Sequence, residues 1–306
     1  MHGMRYLRWL GAGVTAVTLA LLPMAAGAQK VEAGYAGSEA CKDCHKEYYA
    51  PFAKTSMGQA IMAKPTSEHA KKGCEACHGT AKAHAESGGE DKKGLISYSR
   101  KDKTPVAARN AACLSCHEKT ARTLWAGSTH ESRNVACTDC HAAMHAVAEK
   151  GGIKQPTVLA TCGNCHKEKQ AAMGKYSHMP LGEGKMECTS CHNPHGSANE
   201  KLLLASSVNE TCFGCHAEKR GPFMWEHLPV TESCANCHDA HGSNKQRMLK
   251  LALPRLCQQC HNTPHGQPAA RPSDQPSVRF TYNKGCVNCH SVIHGSNHPA
   301  GAFFTR

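Results

Sequence analysis

Cys188-Thr189-Ser190-Cys191-His192-Asn193-Pro194-His195-Gly196-Ser197 is the stretch on which the reading of this protein turns. Two thiols three positions apart, followed at once by a histidine, are suited to one task above others. The thiols can add to the two vinyl groups of a haem while the histidine takes its iron. His195 follows too soon after His192 to wrap round to the opposite face of the same porphyrin, so it is expected to serve another haem. Gly196 then allows a turn of positive φ after that ligand.

The same motif recurs ten times and leaves no cysteine over. The pairs are Cys41 and Cys44, Cys74 and Cys77, Cys113 and Cys116, Cys137 and Cys140, and Cys162 and Cys165. Beyond these come Cys188 and Cys191, Cys212 and Cys215, Cys234 and Cys237, Cys257 and Cys260, and Cys286 and Cys289. Zinc ribbons and thioredoxin-like sites also use Cys-x-x-Cys, but neither requires a histidine in the next position every time. With histidine at 22 of 306 residues, ten such coincidences do not arise by chance. The expected cofactor is therefore ten covalently bound haems c, with His45, His78, His117, His141, His166, His192, His216, His238, His261 and His290 as proximal ligands.

Ten irons need ten further ligands if each is to be six-coordinate. His2 lies at the extreme N-terminus; the other histidines are His69, His84, His130, His145, His178, His195, His227, His241, His265, His294 and His298, one above the requirement. The first ten are taken as distal ligands and His298 as the spare, although His294 and His298 both remain open as the last ligand. With histidine sufficient, methionines such as Met57, Met144 and Met224 are expected to pack on porphyrin faces.

The order of motifs and histidines reveals a repeat. Each unit holds a first motif, a histidine, a second motif and a closing histidine, over about 41–84, 113–145, 162–195, 212–241 and 257–294. The simplest pairing lets the first extra histidine of a unit serve its second haem and the closing one its first, though a closing histidine could reach a neighbouring unit. His-Gly-Ser recurs at 195–197, 241–243 and 294–296. The longer junction between the first two units, with Gly88-Gly89, Glu90 to Lys93 and Ser99 to Lys103, reads as a polar loop. Short helices are expected at His45 to Ala53, His117 to Trp125, His166 to Met173 and His216 to Arg220.

Composition fits this picture. Only 5% of the chain is aromatic, too little for a side-chain core of ordinary size, so polypeptide is expected to wrap thinly on a linear haem array with little regular structure. The expected form is elongated. Residues 1–28 read as a secretory signal peptide: Arg5 and Arg8, an apolar stretch from Leu10 to Leu22, then Ala26-Gly27-Ala28. Residues 29–306 form the cytochrome domain. Twenty cysteines likewise suit an oxidising compartment or a covalent cofactor. After the signal, the longest aliphatic run is Leu202 to Ala205, far short of the roughly 20 residues of a spanning helix. The net charge of +12 would be largely offset by haem propionates, which argues against a nucleic-acid role.

Ten such motifs, the leader and pentads such as Cys188-Thr-Ser-Cys-His192 followed by Asn-Pro-His195-Gly196 resemble the MtrA/DmsE family of decahaem cytochromes, including its MtoA and PioA types. The resemblance implies a periplasmic electron carrier docked in an outer-membrane β-barrel porin of the MtrB, MtoB or PioB kind. Implied donors and acceptors are inner-membrane or periplasmic cytochromes, an extracellular multihaem cytochrome, or iron, in metal reduction or Fe(II) oxidation. Saturated irons favour electron transfer over catalysis. A soluble periplasmic shuttle to a terminal reductase is the alternative, and a multihaem enzyme would need an open iron site.

Overall fold

A computed structural model of the chain describes residues 34–261 and 285–299. The leader and His265 lie outside these residues. Within them the backbone is short helices and loops, with isolated bridges such as His192 to Leu203 and His238 to Leu249 in place of strands. No described helix is long and apolar enough to cross a membrane.

The side-chain core is as small as composition implied. Phe52, Ala76, Ala81, Trp125, Ala136 and Leu203 are its buried apolar residues, and no large described side chain is completely enclosed. Apolar burial is the main favourable term in folding, so polypeptide contacts of this extent leave much of the stabilisation to whatever the wrapping encloses.

Local elements follow from capping chemistry. Thr157 and Ser207 accept N–H bonds at the starts of Val158–Gly163 and Val208–Phe213, and each of these helices carries the first cysteine of a unit. Helices at Lys46–Lys54 and Lys167–Met173 lie where the sequence places them. The regions after His117 and His216 form only single turns, Thr120–Arg122 and Ala217–Lys219. The longest helix, Val106–His117, is instead one the sequence reading does not foresee. Pro105 starts it, four alanines favour it, and the motif begun by Cys113 is its last turn.

The long junction before it is a loop, but not a loose one. It folds back on the second motif, where Ile96 N–H bonds the His78 carbonyl and the Tyr98 hydroxyl donates to the Cys77 carbonyl. Glu75, inside that motif, is buried and accepts N–H bonds from Ala36, Gly37 and Ala81, tying the start of the described chain to it.

Candidate haem-binding site

Each motif is one helical turn. The proximal histidine N–H bonds the carbonyl of the first cysteine, from His45 to Cys41 at 3.0 Å through to His290 to Cys286 at 2.9 Å. His117 has the same relation to Cys113 within its helix. Residues four apart in a helix share a face, so first thiol and imidazole project together with the second thiol beside them. Among the described residues no three His, Cys, Asp or Glu side chains converge as a metal-ion site would require. The grouping is two thiols and one imidazole, repeated.

The two motifs of a unit meet at their first cysteines. Cys41 shares a side-chain hydrogen bond with Cys74, which pulls the Cys74 thiol down to about 6 and pushes Cys41 well up. Cys113 and Cys137, and Cys162 and Cys188, repeat this, with Cys188 drawn down to about 7. In the last two units burial comes first, pushing Cys212 and Cys257 up to about 11 beside Cys234 and Cys286. Between units it is the second cysteines that are electrostatic neighbours: Cys77 and Cys116, Cys140 and Cys165, Cys191 and Cys215, Cys237 and Cys260. The motifs therefore follow one another in sequence order, meeting alternately by first and second thiols.

A clamp absent from the sequence reading holds the pairs. Three residues before the first cysteine, Asn110 accepts from Cys137 N–H at 2.9 Å and donates to the Val135 carbonyl. Asn209 accepts from Cys234 N–H at 2.7 Å and donates to the carbonyls of Val230 and Thr231. Ser38 accepts from Cys74 N–H at 3.0 Å. Leu159 and Pro254 stand at the same place in the third and fifth units. An asparagine inside the alanine-rich helix Val106–His117 was the available signal, since it is a poor helix former without a partner.

The histidines oppose one another in pairs. Ring centres lie 6.4 Å apart for His45 and His84, 6.2 Å for His130 and His166, 5.9 Å for His141 and His195, and 6.1 Å for His192 and His241. For His227 with His261 and His238 with His294 the value is 6.2 Å. Two imidazoles bonded to one metal from opposite sides have centres about 6.2 Å apart, given metal–nitrogen bonds of about 2.0 Å. The residues present therefore fit bis-histidine haem. In every one of these pairs one ring also bonds a backbone carbonyl through Nδ1: His84 to Asp91, His130 to Pro194, His141 to Gly151, His192 to Lys201, His227 to Ile293 and His238 to Arg247. That bond fixes ring orientation and makes the other nitrogen a stronger donor to a metal. Burial holds His195, His241 and His294 below the ordinary imidazole value, with nearby cations and imidazoles adding to it, so they are neutral at pH 7, as a ligand must be.

The expected pairing within units is corrected. His130 opposes His166 and not His141; His227 opposes His261 and not His238. Closing histidines His195, His241 and His294 reach back to the second motif of the unit before, and only His84 opposes the first motif of its own unit. The reason is backbone packing between units. Tyr176 is bridged to Ser243, and Trp225 to Ser296, which lays each closing segment on the histidine-bearing segment of its predecessor. His178 bonds the Ala240 carbonyl just as His130 and His227 bond their counterparts. Among the described residues His69, His145 and His178 make no ring contact with a proximal imidazole. His69 bonds Ala76 and Ser115 through Nε2, and His145 is exposed.

The glycines after the closing histidines have the positive φ expected: 122° at Gly196, 119° at Gly242 and 127° at Gly295. The structure adds a second reason for glycine. A Cβ on Gly196 would lie 2.0 Å from the Leu124 carbonyl oxygen, and one on Gly242 would lie 2.3 Å from that of Ala172.

Comparison with known proteins settles the family. Residues 178–221 and 227–266 match the doubled CXXCH motif family, and residues 74–156 match the NrfB-like cytochrome c-type proteins. The multiheme cytochrome MtrA of Shewanella baltica is 40% identical over 276 residues, which is 88% of this chain and 81% of that protein. The chain belongs to the MtrA family of multihaem cytochromes. A high-molecular-weight cytochrome c of Nitratidesulfovibrio vulgaris is 23% identical over 46% of this chain and 33% of its own length. As a member of the MtrA family the protein binds haem c at Cys-x-x-Cys-His motifs and transfers electrons. Its architecture of short helices and loops is the one the motif count implied.

Proposed function

We propose that this MtrA-family cytochrome carries ten haems c, each six-coordinate with two histidines, and conducts electrons between the periplasm and the cell exterior inside an outer-membrane porin. The observation that carries the reading is the exchange of histidines between successive units. It supports a file of saturated sites running from the second unit to the fifth, with the first unit closed by its own His84. Nδ1 hydrogen bonds that orient one ring of each observed pair would keep reorganisation small when an iron changes charge. Extending the same exchange by analogy would give His69 to the His117 haem, His178 to the His216 haem and His145 to the His78 haem, which leaves His265 for the His290 haem. The porin supplies what the chain lacks for a bilayer, since lipid does not tolerate such irregular backbone.

Intact mass of the processed protein tests the cofactor count: ten haems added without loss of mass and no alkylatable thiol is the expected result, and nine would expose a decoy motif. Liposomes enclosing a redox dye test the conduit, with an impermeant reductant outside. Faster dye reduction with cytochrome and porin together than with bare liposomes supports it; equal rates leave a soluble shuttle as the better account.

A further inference from the structure

We propose that two buried donors of the second unit, the Arg109 guanidinium and the Trp125 indole N–H, are built to hold haem propionates. The inference rests on the reading of ten haems c. Arg109 is 8% exposed and Trp125 6%. Their Nε and Nε1 are the shielded side-chain nitrogen and oxygen atoms that have no partner among the described residues. Both are donors. A guanidinium cannot shed its proton, and a buried cation without an anion is among the costliest arrangements a fold can hold.

Two carboxylates on elements packed against this helix are already engaged. Glu75 accepts three backbone N–H bonds, and Asp139 takes Arg100 and the Ala136 N–H. Each haem c brings two carboxylates of its own, and the planar fork of arginine matches a carboxylate with two parallel bonds.

Position fits. Arg109 is one turn before Cys113 on the helix that ends at His117, on the face that carries both. The Trp125 ring centre is 6.5 Å from His195, the histidine opposing His141. One donor thus stands by the third attachment motif and the other by the fourth. Neither repeats elsewhere. The positions equivalent to Arg109 are Gly37, Val158, Val208 and Leu253, and Trp225 donates its indole N–H to the His298 carbonyl. The charge is therefore specific to one place in the row, where it offsets a propionate and holds that haem easier to reduce.

The test is a spectroelectrochemical titration of the haem-loaded protein at pH 8, with Arg109→Met, Arg109→Lys and Trp125→Phe. In Arg109→Met one haem of the ten should shift about tenfold in its oxidised-to-reduced ratio at fixed potential, toward oxidised, or about 59 mV for one electron. Arg109→Lys, which keeps the charge, should recover most of the shift, and Trp125→Phe should move a haem by about threefold in the same direction. Titrations that superimpose on the parent would overturn the proposal. A crystal structure of the haem-loaded parent reads the contact without any variant: a propionate oxygen within hydrogen-bond distance of Arg109 Nε supports it, and a protein carbonyl or water there overturns it. Mass spectrometry of the parent separates the two levels, since fewer than ten haems would sink the underlying reading instead.

Discussion

In the first unit the closing histidine, His84, turns back to oppose His45 of its own unit; in the last three, His195, His241 and His294 oppose His141, His192 and His238 of the unit before. The sequence pattern is the same in both regions. What differs is the presence of a preceding unit for the closing segment to lie on. An interior unit thus sets histidines opposite those of its neighbours, and on the proposed bis-histidine reading its sites are complete only in an assembled row, as with the nearest-neighbour interfaces of solenoid repeats.

The sharpest way to break this comparison is to remove the ligands. His195→Ala should open one haem to a high-spin signal in electron paramagnetic resonance of the oxidised protein. Deleting the haem of the unit before, with Cys137→Ala and Cys140→Ala, should abolish that new signal, whereas Cys188→Ala with Cys191→Ala should leave it. For His84→Ala the erasing pair should be Cys41→Ala with Cys44→Ala, in its own unit. A reversed result for His195 would restore pairing within units.

Next in size are the glycines at which units touch. Gly242→Ala combines a φ of 119° with a Cβ 2.3 Å from the Ala172 carbonyl oxygen, so a loss of about 2–4 kcal/mol is expected in thermal unfolding. Gly285, whose φ is −66° and whose nearest foreign atom to a Cβ is 3.9 Å away, should accept alanine within about 0.5 kcal/mol.

The clamps within units come third. Asn209→Leu copies the natural Leu159 but leaves Cys234 N–H and two carbonyls unpaired. Hydrogen exchange at Cys234 should accelerate by an amount equivalent to about 1–3 kcal/mol, with exchange in the third unit unchanged. Equal exchange in parent and variant would mean that the thiol pairs alone hold the motifs.

The smallest effect concerns the carbonyls that accept from proximal imidazoles. Gly151 and Gly152 shape that turn in the second unit with φ of 70° and 57°. Lys201-Leu202 and Arg247-Met248 adopt the same left-handed pair without glycine, at 55°, 58°, 59° and 55°. Lys201→Gly should therefore stabilise by up to about 1 kcal/mol, and Gly152→Ala should cost a similar amount. Thermal unfolding of both variants checks the pair of signs.

Part of the fold and site is written locally and was legible. A motif of five residues closes its own helical turn, so Cys188, Cys191 and His192 present one haem face whatever surrounds them. The same holds for the turns at Gly196, Gly242 and Gly295. The helix Val106–His117 is less legible: Pro105 and four alanines favour it, but its last turn is the attachment motif itself, so no break in the pattern separates helix from motif. Asn110 and Asn209 read as ordinary polar residues, since their partners are 21 or more positions away.

The sequence by itself determined how many attachment motifs there are, the haem chemistry they suit and which histidine follows each pair of thiols, because those relations are settled within one turn of backbone. Only the tertiary structure decided which second histidine opposes which. His130 could have met His141 or His166, and His241 could have met His216 or His192, with chain enough for either. The choice fell to contacts between units: the bridges Tyr176 to Ser243 and Trp225 to Ser296, the His130 bond to the Pro194 carbonyl, and the close approach that only glycine permits. Such contacts join segments some 60 to 70 residues apart, and packing specifies them where spacing alone does not.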